Sequence, residues 1–168
     1  MHINSIKILR SKKRRRTVSA RLEKDILIVR APESIPESRL QKVIARLKAR
    51  IERKKLKEDL NKHENLAQRA REFNLRYFEN KLNISSIEYV TDQYSKFGCC
   101  NYRTGCIRIS HRISAMPQWV RDYVIIHELA HLVVPGHSRA FWDIVNRYKL
   151  AERARGYLIA AGGLEELS

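Results

Sequence analysis

Residues 122–142 read Asp122-Tyr-Val-Ile-Ile-His127-Glu128-Leu-Ala-His131-Leu-Val-Val-Pro-Gly-His137-Ser-Arg-Ala-Phe-Trp142. His127 and His131 are four residues apart, so on an α-helix they project from one face and can bind the same metal ion. Pro135-Gly136 breaks the helix after the second histidine, which lets the chain turn back and present His137 to that ion. We therefore predict a metal site formed by these three histidines.

Glu128 directly follows the first histidine, where it can flank the metal without ligating it. A carboxylate in that position can take a proton from a water molecule and later pass it to a leaving group. A catalytic zinc site has three protein ligands and an open fourth position. Imidazoles also bind nickel, cobalt and copper, so zinc is expected here from its availability. The residues thus predict one zinc ion, with Glu128 as the general base.

Chance does not readily explain this pattern. The motif H-E-x-x-H is expected only about 0.02 times in a chain of this composition. Residues 123–134 are apolar almost all round, so the helix should be buried. Ionisable groups in a buried helix are costly unless they pair or bind a metal. A metal site is therefore favoured over histidines that only pack in a core.

The chain of 168 residues is 43% hydrophobic, which is enough for one ordinary domain with a packed core. It has no apolar run of the roughly 18 residues that a membrane helix needs, and its N-terminus has no readable secretory signal. We therefore expect a cytoplasmic protein without a membrane partner. Three cysteines, two of them adjacent, give no disulfide framework.

The formal net charge of +16 is unevenly distributed. Residues 1–60 contain 19 Lys and Arg against seven Asp and Glu, a net +12, whereas residues 61–168 have a net +4. Such an excess agrees with attraction to nucleic acid, and equally with a solvated face that keeps the protein soluble. The charge shift suggests a basic N-terminal part, residues 1–60, ahead of a metal-binding core, residues 61–168.

Short runs rich in Ile, Leu and Val predict an N-terminal antiparallel β-meander over residues 5–10, 17–22 and 26–30. Apolar residues at helical spacing between Leu40 and Ile51 then predict an amphipathic helix with a basic outer face.

Further along, a helix is predicted over residues 62–79, followed by three strands over residues 84–91, 96–102 and 106–110. Helices are predicted over residues 117–133 and 138–148. The expected fold is α+β and zincin-like, with a small antiparallel sheet packed on the metal-binding helix.

The metal segment resembles one known family. Tyr123-Val124, His127-Glu128-Leu-Ala-His131-Leu132, His137-Ser138 and Phe141-Trp142 are similar to the motifs of the YgjP-like metallopeptidase-domain family, bacterial relatives of the WLM and SprT-like zinc peptidases. Residues 14–32 resemble the basic N-terminal strand pair of that family.

The resemblance implies zinc bound by His127, His131 and His137, with Glu128 as the general base. One stretch departs from the family pattern, because Phe97-Gly98-Cys99-Cys100 stands where the family usually shows Trp-Gly-Ser-Cys.

Three functions follow as hypotheses. The first is a zinc-dependent hydrolase, expected to act on peptides or proteins, whose basic N-terminal region binds nucleic acid or anionic substrates. The second is a metal-dependent nucleoside triphosphate pyrophosphatase, against which the chain has no Walker-type phosphate loop and no carboxylate cluster suited to Mg²⁺. The third is a nucleic-acid-binding protein with a structural metal. Candidates for stabilising an oxyanion are Tyr148, Tyr157 and Arg139.

Overall fold

The computed structural model describes residues 3–162. The strands in this range are β1 (Ser5–Ser11), β2 (Ser19–Glu23), β3 (Ile26–Pro32), β4 (Ser86–Val90), β5 (Gly98–Asn101) and β6 (Cys106–Ser110). The helices are α1 (Glu37–His63), α2 (Leu66–Phe78), α3 (Gln118–Ala130), α4 (Arg139–Val145) and α5 (Ala151–Ala160), with a 3-10 helix over His111–Ala115. The predicted α+β class is therefore confirmed.

The chain divides into two compact units, residues 1–56 and 57–168. This division falls within α1, as does the boundary near residue 60 that the charge distribution suggests.

The sheet of the first unit has the strand order β1-β3-β2. β2 pairs antiparallel with β3 across the turn at Lys24-Asp25, as predicted. β1, however, pairs parallel with β3, so the predicted antiparallel meander is wrong. The connection over residues 12–18 spans seven residues. At about 3.3 Å per residue it is long enough to cross the roughly 10 Å between alternate strands.

One face of this sheet packs on α1. Alternate residues of β3 are buried, and Leu40 and Ile44 of α1 complete the same apolar cluster with Leu27, Val29 and Ala31. The spacing of four between Leu40 and Ile44 places them on one side of the helix, so the predicted amphipathic helix is confirmed.

The sheet of the second unit has the strand order β4-β6-β5. β5 and β6 form the predicted hairpin, but β4 pairs parallel with β6. The expectation of an antiparallel sheet is therefore wrong for β4. As in the first sheet, the length of the connection allows this pairing. The seven residues 91–97 between β4 and β5 cross β6 and reach the other edge of the sheet.

Helix α3 is the centre of the second unit. Residues 122–130 are all buried, since α3 contacts α2, α4, α5 and strand β5. Helix α5, which has no counterpart among the predicted elements, contributes Ala154 and Leu158 to this core.

A half-buried ion pair connects α2 to α3. Asp122 accepts hydrogen bonds from Arg69 Nε at 2.9 Å and Nη2 at 2.6 Å, and from Gln118 Nε2 at 2.7 Å. Because its side chain is only 7% exposed, Asp122 depends on these donors to offset its desolvation.

Candidate metal centre

The last turn of α3 and the loop after it bring three histidines together. His127 lies in the last turn, His131 is the residue that caps the helix, and His137 follows the predicted break at Pro135-Gly136. One ring nitrogen from each of the three lies within 4.8 Å of the others. The predicted set His127, His131 and His137 is therefore brought together in space.

The distances suit a metal ion. His127 Nε2 and His137 Nε2 are 3.2 Å apart. Zinc bonds to imidazole nitrogen at about 2.0–2.1 Å, which puts two ligands of a tetrahedral ion roughly 3.3 Å apart. Within residues 3–162 the group consists of these three side chains, and three protein ligands are the number typical of catalytic zinc sites.

Hydrogen bonding orients the second imidazole. His131 Nδ1 lies 3.3 Å from the carbonyl oxygen of Val134, to which it donates. That bond places the proton on Nδ1 and leaves Nε2 with a free lone pair, the form in which a histidine binds a metal.

Two aromatic side chains of α4 fix the ring planes. The ring of Phe141 stacks on His131 with centroids 4.5 Å apart, and Trp142 stacks on His137 at 5.6 Å. Phe141 also meets His127 edge-on at 4.8 Å. The Phe-Trp pair of the sequence motif thus packs around the candidate ligands.

Burial keeps the histidines neutral. Desolvation, together with the neighbouring imidazoles of His131 and His137, lowers the pKa of His127 to about 3. Burial also lowers the pKa values of His131 and His137. Neutral imidazole is the metal-binding form, so the donor set fits a zinc ion without any change in protonation.

Glu128 directly follows His127 in the sequence and is not one of the three members of this cluster. Its side chain is buried against Gly98 on β5, where a Cβ at residue 98 would lie 2.7 Å from Glu128 Cγ and Cδ. Burial raises the pKa of Glu128 to about 8, and the positive charge of Lys96 opposes this shift.

In the sequence, Gly98 is noted only as part of the stretch Phe97–Cys100, and no role at the site is predicted for it. Its signal is a glycine inside a short strand, which often marks a close approach by another group. The pairing Gly98↔Ile109 places it on the same sheet face as the buried Ile109, the face on which α3 packs.

Within the described part of the chain, no hydrogen bond or ring contact connects the oxyanion candidates Tyr148, Tyr157 and Arg139 to the three histidines. The Tyr148 hydroxyl donates to the carbonyl oxygen of Trp119 at 3.1 Å. The Tyr157 ring packs edge-on against Trp119 with centroids 5.5 Å apart. Arg139 is exposed at the start of α4.

The model of the family described as "YgjP-like, metallopeptidase domain" matches residues 80–151. The resemblance of residues 123–142 to this family is confirmed, whereas the resemblance of residues 14–32 lies outside the matched range and stays a prediction. The matched segment contains β4, β5, β6, α3 and α4, and it includes the three histidines, Glu128 and Gly98. No curated protein matches the chain.

A solved structure is similar in fold to part of the chain. It is the crystal structure of the metallopeptidase zymogen of Pyrococcus abyssi abylysin, which is 18% identical, with a TM-score of 0.50. The match covers 61% of this chain and 97% of that chain.

Within the described residues, no helix is both long and apolar enough to cross a membrane.

Proposed function

We propose that the protein is a zinc-dependent metallopeptidase of zincin-like architecture. The observation that carries the proposal is the convergence of three neutral imidazoles within the segment that matches the YgjP-like metallopeptidase domain. The buried carboxylate of Glu128 directly follows the first of these histidines in the sequence. His127, His131 and His137 would hold the ion. When bound, zinc supplies a Lewis acid and lowers the pKa of water at the site.

Glu128 is proposed as the general base. Its carboxylate accepts a proton from the water that attacks the peptide carbonyl carbon. As the C–N bond breaks, the same carboxyl group delivers that proton to the leaving amine. A base works best with a pKa near the working pH, and burial brings Glu128 towards that range.

Strand β5 offers a binding edge for the substrate. Among the described residues it is the outer strand of its sheet and pairs with β6 alone, and it contacts α3. An extended peptide can add to such an edge through backbone hydrogen bonds, which would bring its carbonyl groups close to Glu128. Binding of this kind depends little on the side chains of the peptide.

The test compares purified wild type with Glu128→Gln, both loaded with zinc, on fluorescent casein and on a panel of nucleoside triphosphates. Glu72→Gln, an exposed change on α2, serves as the matched control. The proposal expects casein cleavage by wild type and control, and a loss of at least about 100-fold in Glu128→Gln.

Release of pyrophosphate without casein cleavage would instead support the pyrophosphatase. Zinc binding without either activity would support a structural metal.

A further inference from the structure

Helix α1 has a row of basic side chains that takes no part in the proposed peptidase. Arg39, Lys42, Arg46 and Arg50, here termed the basic stripe, are all exposed. At 3.6 residues per turn they fall within an arc of about 80°, and they extend about 16 Å along the helix. No acidic residue of α1 falls in this arc.

The basic stripe is not neutralised locally. None of its four members forms an ion pair with any described residue, whereas nearby Arg10 pairs with Glu37 and Lys48 with Glu52. Residues 1–56 contain 18 Lys and Arg against five Asp and Glu. Like charges held in a row without partners repel one another, so a bound polyanion would stabilise the arrangement.

A second basic segment lies in the same unit. Residues 12–16 read Lys-Lys-Arg-Arg-Arg, here termed the basic loop, and connect β1 to β2. Four of its side chains are exposed, while Arg14 is half-buried and donates to Thr17 Oγ1 at 3.4 Å.

The burial pattern of α1 disfavours a lipid surface as the partner. An amphipathic helix binds a bilayer by inserting its apolar face. In α1 that face is already covered, since Leu40 is 0% and Ile44 3% exposed within the core of the unit. Only the charged side of the helix is available.

A nucleic acid fits this surface better. A duplex presents one negative charge per about 1.7 Å of axis, so a 16 Å row of cations faces about ten phosphates. Arginine and lysine side chains that contact phosphates bind without reading base sequence. We propose that residues 1–56 bind the phosphate backbone of nucleic acid through the basic stripe and the basic loop, without sequence preference.

The proposal is independent of the peptidase chemistry, and its test uses the full chain. Fluorescence anisotropy measures binding of the protein to a labelled 20-base-pair DNA duplex and to the matching RNA duplex, from 50 to 200 mM NaCl. Binding should weaken steeply with salt. In the variant Arg39→Gln, Lys42→Gln, Arg46→Gln, loss of three phosphate contacts should reduce the slope of log K against log [NaCl] for DNA by about 2.7.

The matched control is Lys62→Gln, Arg71→Gln, Lys149→Gln, which removes the same number of exposed charges from the second unit. The proposal expects its slope to stay near that of wild type, and circular dichroism confirms that both variants are folded.

Three outcomes would overturn the proposal: absence of duplex binding at 50 mM NaCl, equal loss in both triple variants, or binding confined to vesicles containing 30% phosphatidylserine. The DNA and RNA arms show which duplex is preferred.

Discussion

Gly98 and the side chain of Glu128 are in such close contact that residue 98 has no room for a Cβ. A methyl carbon built on Gly98 would lie 2.7 Å from both Cγ and Cδ of Glu128. The glycine on β5 therefore sets where the carboxylate of α3 lies, and this contact connects the edge strand to the proposed general base.

Gly98→Ala should displace the Glu128 carboxylate while leaving the three histidines in place. A misplacement of about 1 Å at a catalytic group costs on the order of 100-fold in rate, so we expect a loss of casein cleavage of that size. Zinc content, measured on the same sample, should not change.

The control for that variant is Gly156→Ala on α5, where a Cβ would meet nothing within 4 Å. It should cleave casein as wild type does. Equal activity in Gly98→Ala and Gly156→Ala would contradict the assigned contact.

The stability of the metal-free protein should depend on pH through Glu128. Burial raises the pKa of this carboxyl group to about 8 in the folded state, against about 4.3 in an unfolded chain. The folded state therefore holds the proton more tightly, so Glu128 destabilises the protein progressively as the pH rises from about 4.3 towards 8.

Glu128→Gln removes that ionisation. With chelator present, the free energy of unfolding of the variant should exceed that of wild type by about 3–4 kcal/mol at pH 7, and by only about 1 kcal/mol at pH 5. Urea denaturation at the two pH values measures the difference, with Glu72→Gln as the exposed control. A difference that is the same at both pH values would argue against the buried carboxylate.

Arg69→Met should destabilise the second unit, because it leaves Asp122 buried without its bidentate partner. A buried acceptor left without its partner typically costs about 1–3 kcal/mol, and Gln118 still donates to Asp122 in this variant. Arg71→Met, an exposed change on the same helix, should stay within about 0.5 kcal/mol of wild type. Urea denaturation measures the free energy of unfolding of both variants. Similar values for Arg69→Met and Arg71→Met would show that the Arg69–Asp122 pair contributes little to stability.

The set of candidate site residues is predictable because it is local in sequence. A spacing of four fixes His127 and His131 on one helical face, and the break at Pro135-Gly136 allows His137 to return. The contact of Gly98 with Glu128 is not local, since 30 residues separate the two. The sequence shows a glycine in a strand but not which helix packs on it.

The two parallel strand pairs were missed for a related reason. Alternation of apolar residues looks the same in parallel and antiparallel strands. The sequence therefore predicts antiparallel pairing for both β1 and β4. The connections over residues 12–18 and 91–97 determine the strand order, because seven residues are enough to cross one strand and reach the other edge of the sheet. Helix α5 was missed because Gly156 lies in its middle and few apolar residues mark its buried side.

The central claim is that His127, His131 and His137 form one zinc site, and the zinc content of the purified protein tests it most directly. After reconstitution and gel filtration, mass spectrometry should find about one zinc per chain in wild type and in the control His63→Ala. His131→Ala should retain far less. Absence of zinc in wild type, or an undiminished content in His131→Ala, would contradict the claim.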